Sequence, residues 1–486
     1  MDHPIDLLVI GGGTAGIVGA KTAARLGAST VLVEAHRTGG DCLWTGCIPS
    51  KTLLSAAAQA VSARDSSGAE PDFSQIQDRI RATIQTIEPE DSPEALERAG
   101  VSVRKGTARF TAPNEAEVDG QKLRFRQALI VTGSSPAAPP IPGLVDAGFV
   151  TSETIWDLPE LPQRLVVIGG GPIACELGQA FARLGSQVSI LARSGLLPKE
   201  DPEASALVRA SLKRDGVTVI IDDEPQQVRR NPAAESPGDS NPGGRSSIST
   251  VITTKAGREL EADVVLVATG RTARTAGLGL ESISVDCDDA GQVLVDGSMR
   301  TSNTSIWAAG DVTQHAKFTH LAGVHASTAA SNAVLGLRRT VSSTVPRITY
   351  TSPEVAAVGV TEASIPEMTT STVSLENTDR AIAQGTTEGF ARLVIGKRGR
   401  ILGGTIVGPR AGESLGELSL AVEQKLTTRQ LAGVTHAYPT YSDALWNAAV
   451  AHASSGLSSP AVKTATSALA AITRFRHRTH PAQRSA

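Results

Sequence analysis

An α/β fold with two Rossmann-like dinucleotide-binding domains is what this sequence predicts. An apolar run, a glycine-rich loop and a helical pattern follow one another at residues 5–34, and the same arrangement recurs at residues 164–193. Between them lies a pair of cysteines, Cys42 and Cys47, which are two of only four in the chain.

The first unit opens with Ile5-Asp6-Leu7-Leu8-Val9-Ile10, which reads as a buried strand. Gly11-Gly12-Gly13-Thr14-Ala15-Gly16 follows, then a helix through Ala20, Ala23 and Leu26, then a strand, Thr30-Val31-Leu32-Val33, ending in Glu34. In this context each residue has a task. Gly11 makes the turn, Gly13 admits a pyrophosphate, Gly16 lets helix and strand close, and Glu34 takes a ribose hydroxyl.

The cysteines lie in Gly39-Gly40-Asp41-Cys42-Leu43-Trp44-Thr45-Gly46-Cys47-Ile48-Pro49-Ser50-Lys51. An ideal helix rises about 1.5 Å per residue, so an i,i+5 pair is near or beyond the reach of a disulfide. Joining them needs a distorted turn, which Gly46 can supply. A strained disulfide is easier to reduce, as a working redox pair requires. Pro49 suits the first turn of a helix running on through Ser50, Leu53 and Ala57. Cys47 then lies at a helix N-terminus, where the dipole and Lys51 both favour a thiolate. A structural disulfide or half of a metal site are the alternatives.

The pattern Gly-Gly-x-Cys-x-x-x-x-Cys-x-Pro-Ser-Lys resembles the redox signature of the class I pyridine nucleotide-disulfide oxidoreductases, and the likeness runs over roughly residues 5–455 in that family's order. The resemblance implies an FAD-binding domain split between residues 1–150 and 272–345, an NAD(P)H-binding domain over 151–271 and an α+β dimerisation domain over 346–460. It implies FAD at the first glycine loop and a redox-active Cys42–Cys47 disulfide whose Cys47 thiolate meets the flavin, with Cys42 as the outward, exchanging sulfur. It also implies a homodimer whose active site is completed by the other subunit. Thr132-Gly133 would lie against the flavin nucleotide, although alone it is only a strand followed by a turn.

The second loop, Gly169-Gly170-Gly171-Pro172-Ile173-Ala174, follows the strand Leu165-Val166-Val167-Ile168, and the segment 263–271, through Gly270, closes the domain. Its next strand ends not in an acid but in Ala192-Arg193, with Lys199 beyond. Cations there suit a ribose 2′-phosphate, so NADPH is expected over NADH, the alternative being that Arg193 is a solvated loop cation. The resemblance pairs Lys51 with Glu176, stabilising reduced flavin and the Cys47 thiolate together. It gives Asp311, in Ala308-Ala309-Gly310-Asp311, a bond to the ribityl chain, and it aims the helix opening near His320 at the flavin pyrimidine. A surface ion pair and a plain helix-approach cap are the respective alternatives.

The C-terminal segment His436-Ala437-Tyr438-Pro439-Thr440-Tyr441-Ser442-Asp443 departs from the disulfide reductases of that family. They carry His and Glu where this chain carries Tyr438 and Asp443. A phenol with a pKa of about 10 shuttles protons poorly at neutral pH, so lipoamide or glutathione turnover should be slow. His436 is two residues away and should point elsewhere. Mercuric reductases also carry Tyr here, and Leu191-Ala192-Arg193-Ser194 with Glu200-Asp201-Pro202 is similar to them too. The acceptor expected first is a metal ion or other thiol-reactive oxidant, then a disulfide as in dihydrolipoamide dehydrogenase, then a quinone. The tail after Ala461 lacks the cysteine pair with which mercuric reductases pass on Hg(II), and no metal-binding domain is expected ahead of Met1. Trp44 either narrows access to Cys42 or packs, and packing is favoured.

The remaining features are bounded by composition. A length of 486 residues suggests about three domains. With 40% hydrophobic and 20% charged residues the chain reads as globular, and a net charge of −3 calls for no nucleic acid. Four cysteines make no disulfide scaffold, so a reducing, cytoplasmic setting is expected, with Cys175 and Cys287 as ordinary buried residues. Leu7–Ile10 is too short for a signal-peptide core, and no apolar run would span a bilayer. Residues 231–244 and the basic tail 461–486 are expected to lack order, the tail with a marginal helix near Ile472 and Phe475.

Overall fold

The computed structural model describes residues 4–230, 250–361, 368–456 and 460–479. They form two compact units, Met1–Pro198 with Val208–Ser343, and Lys199–Leu207 with Thr344–Ala486.

The first unit contains two parallel sheets. Strand β1 (Ile5–Ile10) leads through the first glycine loop into helix α1 (Thr14–Arg25) and strand β2 (Thr30–Glu34). In the sheet β1 is central, with β2 and Val101–Lys105 on one side and Gln121–Ile130 and Ile306–Ala308 on the other. The last of these strands returns after the second nucleotide fold, so this sheet is assembled from distant parts of the chain. Strands buried on both faces read as continuous apolar runs, which is why Leu7, Leu8, Val9 and Ile10 are all buried. The first half of Gln121–Ile130 instead joins an antiparallel meander with Glu115–Val118 and Ala108–Ala112.

The second sheet has the order Thr218–Ile221, Gln187–Ala192, Arg164–Ile168, Val264–Val267, Val150–Thr151, all parallel. It repeats the topology of the first, as duplicated βαβ units should. Residues 231–244, expected to be disordered, lie outside the described residues. The flanking strands Pro225–Arg230 and Thr250–Thr254 pair as an antiparallel ladder.

In the second unit a five-stranded antiparallel sheet carries the helices Ala411–Glu423 and Asp443–Ser455. Leu393, Ile406, Leu415, Leu418 and Leu445 form its core. Each such leucine contributes about 2 kcal/mol by leaving water.

The tail departs from expectation. Residues Pro460–Thr479 form a helix rather than a disordered segment. Pro460 sits at its start, where a fixed φ helps, and the run beyond it is rich in Ala with no glycine. Leu469, Ile472 and Phe475 are exposed on it. No helix among the described residues is long and apolar enough to cross a membrane.

Candidate active site

The redox stretch folds as two helices with a break. Helix α2 (Gly40–Trp44) carries Cys42, and helix α3 (Cys47–Ser67) begins at Cys47. Gly46 lies between them at φ −117°, ψ −111°, outside the helical and strand regions, so it supplies the distortion that the spacing requires. Gly40, at φ +58°, crosses the first phosphate loop so closely that a Cβ on it would stand 2.6 Å from the Gly13 Cα. The redox segment is thereby pressed against the nucleotide loop.

Both cysteines are thiols here, partly buried and hydrogen-bonded to each other. Their acidities diverge. The Cys42 hydrogen bond, then the Thr319 hydroxyl at 3.4 Å, then the Lys51 charge bring Cys47 down to about 6 against the opposing effect of burial. Donation to Cys47 and burial push Cys42 up. Thr319 opens the helix Thr319–Leu335, so Cys47 sits at its own helix N-terminus and beside a second one. Thr319 was not singled out from sequence, and its neighbours in Lys317-Phe318-Thr319-His320 carry no local signal for it.

Lys51 donates to the Glu176 carboxylate at 3.0 Å, joining α3 to the helix Pro172–Leu184 that follows the second phosphate loop. Glu176 is buried, its side chain only 8% exposed.

In the first loop a Cβ on Gly16 would lie 1.9 Å from the Gly11 carbonyl oxygen, so only glycine permits the contact of helix and turn. Gly13 caps α1 without a side-chain bond. Glu34 accepts the Gly12 N–H at 2.5 Å and the His36 N–H at 2.8 Å, which fixes its carboxylate beside the loop. In the second loop Gly171 caps its helix in the same way, and a Cβ on it would meet nothing within 4 Å. Gly169 turns at the strand end, and Ala174 is fully buried. Arg193 is 77% exposed with Glu224 3.9 Å away. Lys199 is also exposed, and it falls in the second unit.

Just past the end of the strand Gln121–Ile130, the Thr132 hydroxyl donates to the Arg274 carbonyl at 2.7 Å, and the Gly133 carbonyl accepts the Arg274 N–H at 3.0 Å. Asp311 accepts the Ser134 hydroxyl at 2.9 Å. Arg271, directly after Gly270, bonds the Ser134 hydroxyl at 2.7 Å and reaches both Asp41 and Glu153. Sequence reasoning assigned no role to Arg271 or Asp41.

In the second unit Tyr438 is exposed and donates its hydroxyl to Asp379, a bond that holds its pKa above the ordinary phenol value. Asp443 is buried at the start of its helix and accepts the Thr440 N–H at 2.9 Å. His436 is engaged by Glu417 at 2.5 Å and by the Val434 carbonyl at 3.0 Å. No group of three or more metal-ligating side chains occurs among the described residues. Trp44 is half-buried: its indole N–H donates to the Thr38 carbonyl at 2.7 Å, with the Arg37 guanidinium 3.7 Å from its ring centre. Cys175 is buried, and that burial pushes it up to about 12. Cys287 corrects an expectation. It is exposed, in a segment where Asp286, Asp288 and Asp289 keep the chain at the surface.

Two glycine loops, each followed by a helix start that no side chain caps, and a cysteine pair are the parts of an electron relay. Residues 5–333 match the pyridine nucleotide-disulphide oxidoreductase domain, and residues 345–449 match the dimerisation domain of the same enzymes. The chain belongs to the pyridine nucleotide-disulphide oxidoreductases. It is 36% identical over 459 residues to a mercuric reductase of Streptomyces lividans, covering 90% of this chain and 94% of that one. It is 35% identical over 464 residues to a mercuric reductase of Staphylococcus aureus, covering 92% and 82%. Among solved structures it is similar to the Cu(II) complex of the HOCl-induced flavoprotein disulfide reductase RclA from Escherichia coli, with a TM-score of 0.82 at 25% identity, covering 92% of this chain and 99% of that one. LpdA from Mycobacterium tuberculosis superposes with the same TM-score, identity and coverage. The enzyme is thus an FAD-dependent oxidoreductase that uses a pyridine nucleotide. Its residues fit both groups: the uncapped N–H groups at Gly13 and the open space beside Gly171 are what two diphosphates need.

Proposed function

We propose that this enzyme uses NADPH to reduce a metal ion or another thiol-reactive oxidant at the Cys42–Cys47 pair. The observation that carries this reading is the unequal setting of the two sulfurs: Cys47 begins helix α3 with the Thr319 hydroxyl at 3.4 Å and is held down at about 6, while Cys42 is raised. At neutral pH the reduced pair presents one thiolate and one thiol. A soft cation takes the thiolate and displaces the remaining proton, so it needs no acid from the protein. A disulfide substrate does need one, because its leaving thiolate must be protonated. Tyr438, with its pKa raised by Asp379, is poorly suited to give it. Relatives named mercuric reductase agree with the metal-ion choice.

Bound FAD supplies the two-electron link between nicotinamide and sulfur. Gly11, Gly13, Gly16 and Glu34 would hold its adenosine diphosphate half, and Thr132, Gly133, Asp311 and Lys51 its flavin half. Gly169, Gly171 and Gly270 would frame the nicotinamide nucleotide, with Arg193 drawn to a 2′-phosphate. Lys51 and Glu176 set the field at Cys47. In the homodimer that the dimerisation domain supports, residues 436–443 of one subunit, with Tyr438 and Asp443, would serve Cys42 of the other. The setting proposed is the cytoplasm, where NADPH keeps the pair reduced.

The test is steady-state NADPH oxidation with Hg(II), lipoamide, small disulfides and quinones. Hg(II) or another soft cation should be preferred, and a Cys42→Ala, Cys47→Ala variant should lose that activity. Faster turnover of lipoamide, or quinone reduction that survives in the double variant while metal reduction is absent from the wild type, refutes the reading. NADH outperforming NADPH in kcat/KM refutes the cofactor choice.

A further inference from the structure

The segment between the two cysteines has a second side. Trp44 lines a cleft of about 260 Å³ together with Leu53 of α3, Ile80 and Ile84 of helix α4 (Phe73–Asp91), Trp156 and Phe181. The Trp156 indole N–H donates to the carbonyl of Thr45 at 2.9 Å and to that of Ser152 at 2.8 Å. Trp44 donates its own N–H to Thr38. Both indoles therefore have their polar edge held by backbone, and both line the cleft. Leu53, Ile80 and Phe181 are buried beneath them.

The rim is charged. Arg37 and Arg81 line it and are exposed, against the single carboxylate of Asp157. Arg81 also pairs with Asp78 at 2.6 Å, but both side chains are more than half exposed, so that pair is weak and exchangeable. The volume falls just under the ~300–1,000 Å³ typical of drug-sized ligands, which suits one or two fused rings rather than an extended chain.

We propose that this cleft binds a compact planar aromatic anion, and that its occupant restrains the Cys42–Cys47 segment. Aromatic walls take the rings, and the two guanidinium groups take the carboxylate or sulfonate. The coupling is short. Trp44 is the last residue of the helix that carries Cys42, and Thr45, which Trp156 holds, is the next residue along. An occupant wedged against both indoles limits the excursions that expose Cys42. The site is independent of which acceptor the pair reduces.

The probe is 2-naphthoate, measured by equilibrium dialysis against the full-length, FAD-loaded protein, with 2-naphthol as the uncharged control. Saturable binding of naphthoate in preference to naphthol is expected. Gln85→Trp, which fills the cleft from its exposed rim, and Ile84→Trp, which fills it from inside, should each weaken binding about tenfold or more. Arg81→Gln should remove the preference for the anion. Naphthoate should also slow amide hydrogen exchange across residues 42–46 about threefold in the wild type and leave it unchanged in Gln85→Trp. Absence of saturable binding, or wild-type affinity in both filled variants, overturns the site. Unaltered exchange at saturation overturns the coupling.

Discussion

The two phosphate loops of this enzyme are built alike and finished differently. In both, a parallel strand ends in glycines and a helix starts at a glycine, Gly13 or Gly171, with no side-chain cap. The grip on phosphate is thus a backbone property in both. The first loop is closed upon itself: Gly16 touches the Gly11 carbonyl, and Glu34 is held by two backbone N–H groups. The second accommodates Ala174 and leaves Arg193 mostly exposed, with Glu224 near it at 3.9 Å. A closed, side-chain-fixed loop suits a resident cofactor. An open loop with an exposed cation suits a nucleotide that must come and go.

The harshest way to break this comparison is to exchange the residues at each loop's third small position. Gly16→Ala forces a Cβ to 1.9 Å from a backbone oxygen, so the loop must shift. Purified Gly16→Ala should contain little or no flavin by visible absorbance, whereas Ala174→Gly should be fully loaded. A fully flavinated Gly16→Ala would show that closure of the first loop is not what retains FAD.

Gly171→Asp comes next. The side chain can occupy open space and cap the helix, which adds about 0.3 kcal/mol of stability. The same carboxylate repels the incoming diphosphate, so kcat/KM for NADPH should fall about 100-fold with flavin content unchanged. Thermal melting and flavin absorbance separate this outcome from misfolding. Smaller again is Arg193→Glu, for which the ratio of kcat/KM for NADPH to that for NADH should drop about tenfold. An unchanged ratio would make Arg193 the solvated cation that its exposure also allows.

What could be read in the sequence follows from how local each feature is. The glycine loops, the strands beside them and the helix after Cys47 are written in consecutive residues, and each lies where its pattern placed it. The Lys51–Glu176 bond spans 125 positions, and only the family resemblance pointed to it. Thr319 beside Cys47 lies 272 positions away, and Arg271 beside Asp41 lies 230 away. Neither sits in a spacing pattern, because the contact exists only once the chain has returned to the first sheet. The tail was misjudged for the opposite reason. Only a marginal helix near Ile472 and Phe475 was expected there against a disordered background, although an Ala-rich run without glycine is intrinsically helical.

The Lys51–Glu176 bond also bridges the two halves being compared, and it allows the finest test of how they communicate. Lys51 lowers the Cys47 pKa and Glu176 raises it, while the Cys42 hydrogen bond is the strongest influence of all. In the wild type, alkylation of reduced Cys47 should therefore titrate with a midpoint of about 6, with thiolate and reactivity lost as the pH falls through it. Lys51→Gln removes an attracting charge and should move the midpoint up. Glu176→Gln removes a repelling one and should move it down. Both displacements should be smaller than the rise caused by Cys42→Ala, which takes away the hydrogen bond itself. Opposite signs for the two single variants would mean that the helix after the second loop acts on Cys47 through charge. Equal and upward shifts would mean instead that Glu176 acts by holding Lys51 in place, and the second loop's influence on the sulfur pair would then be positional.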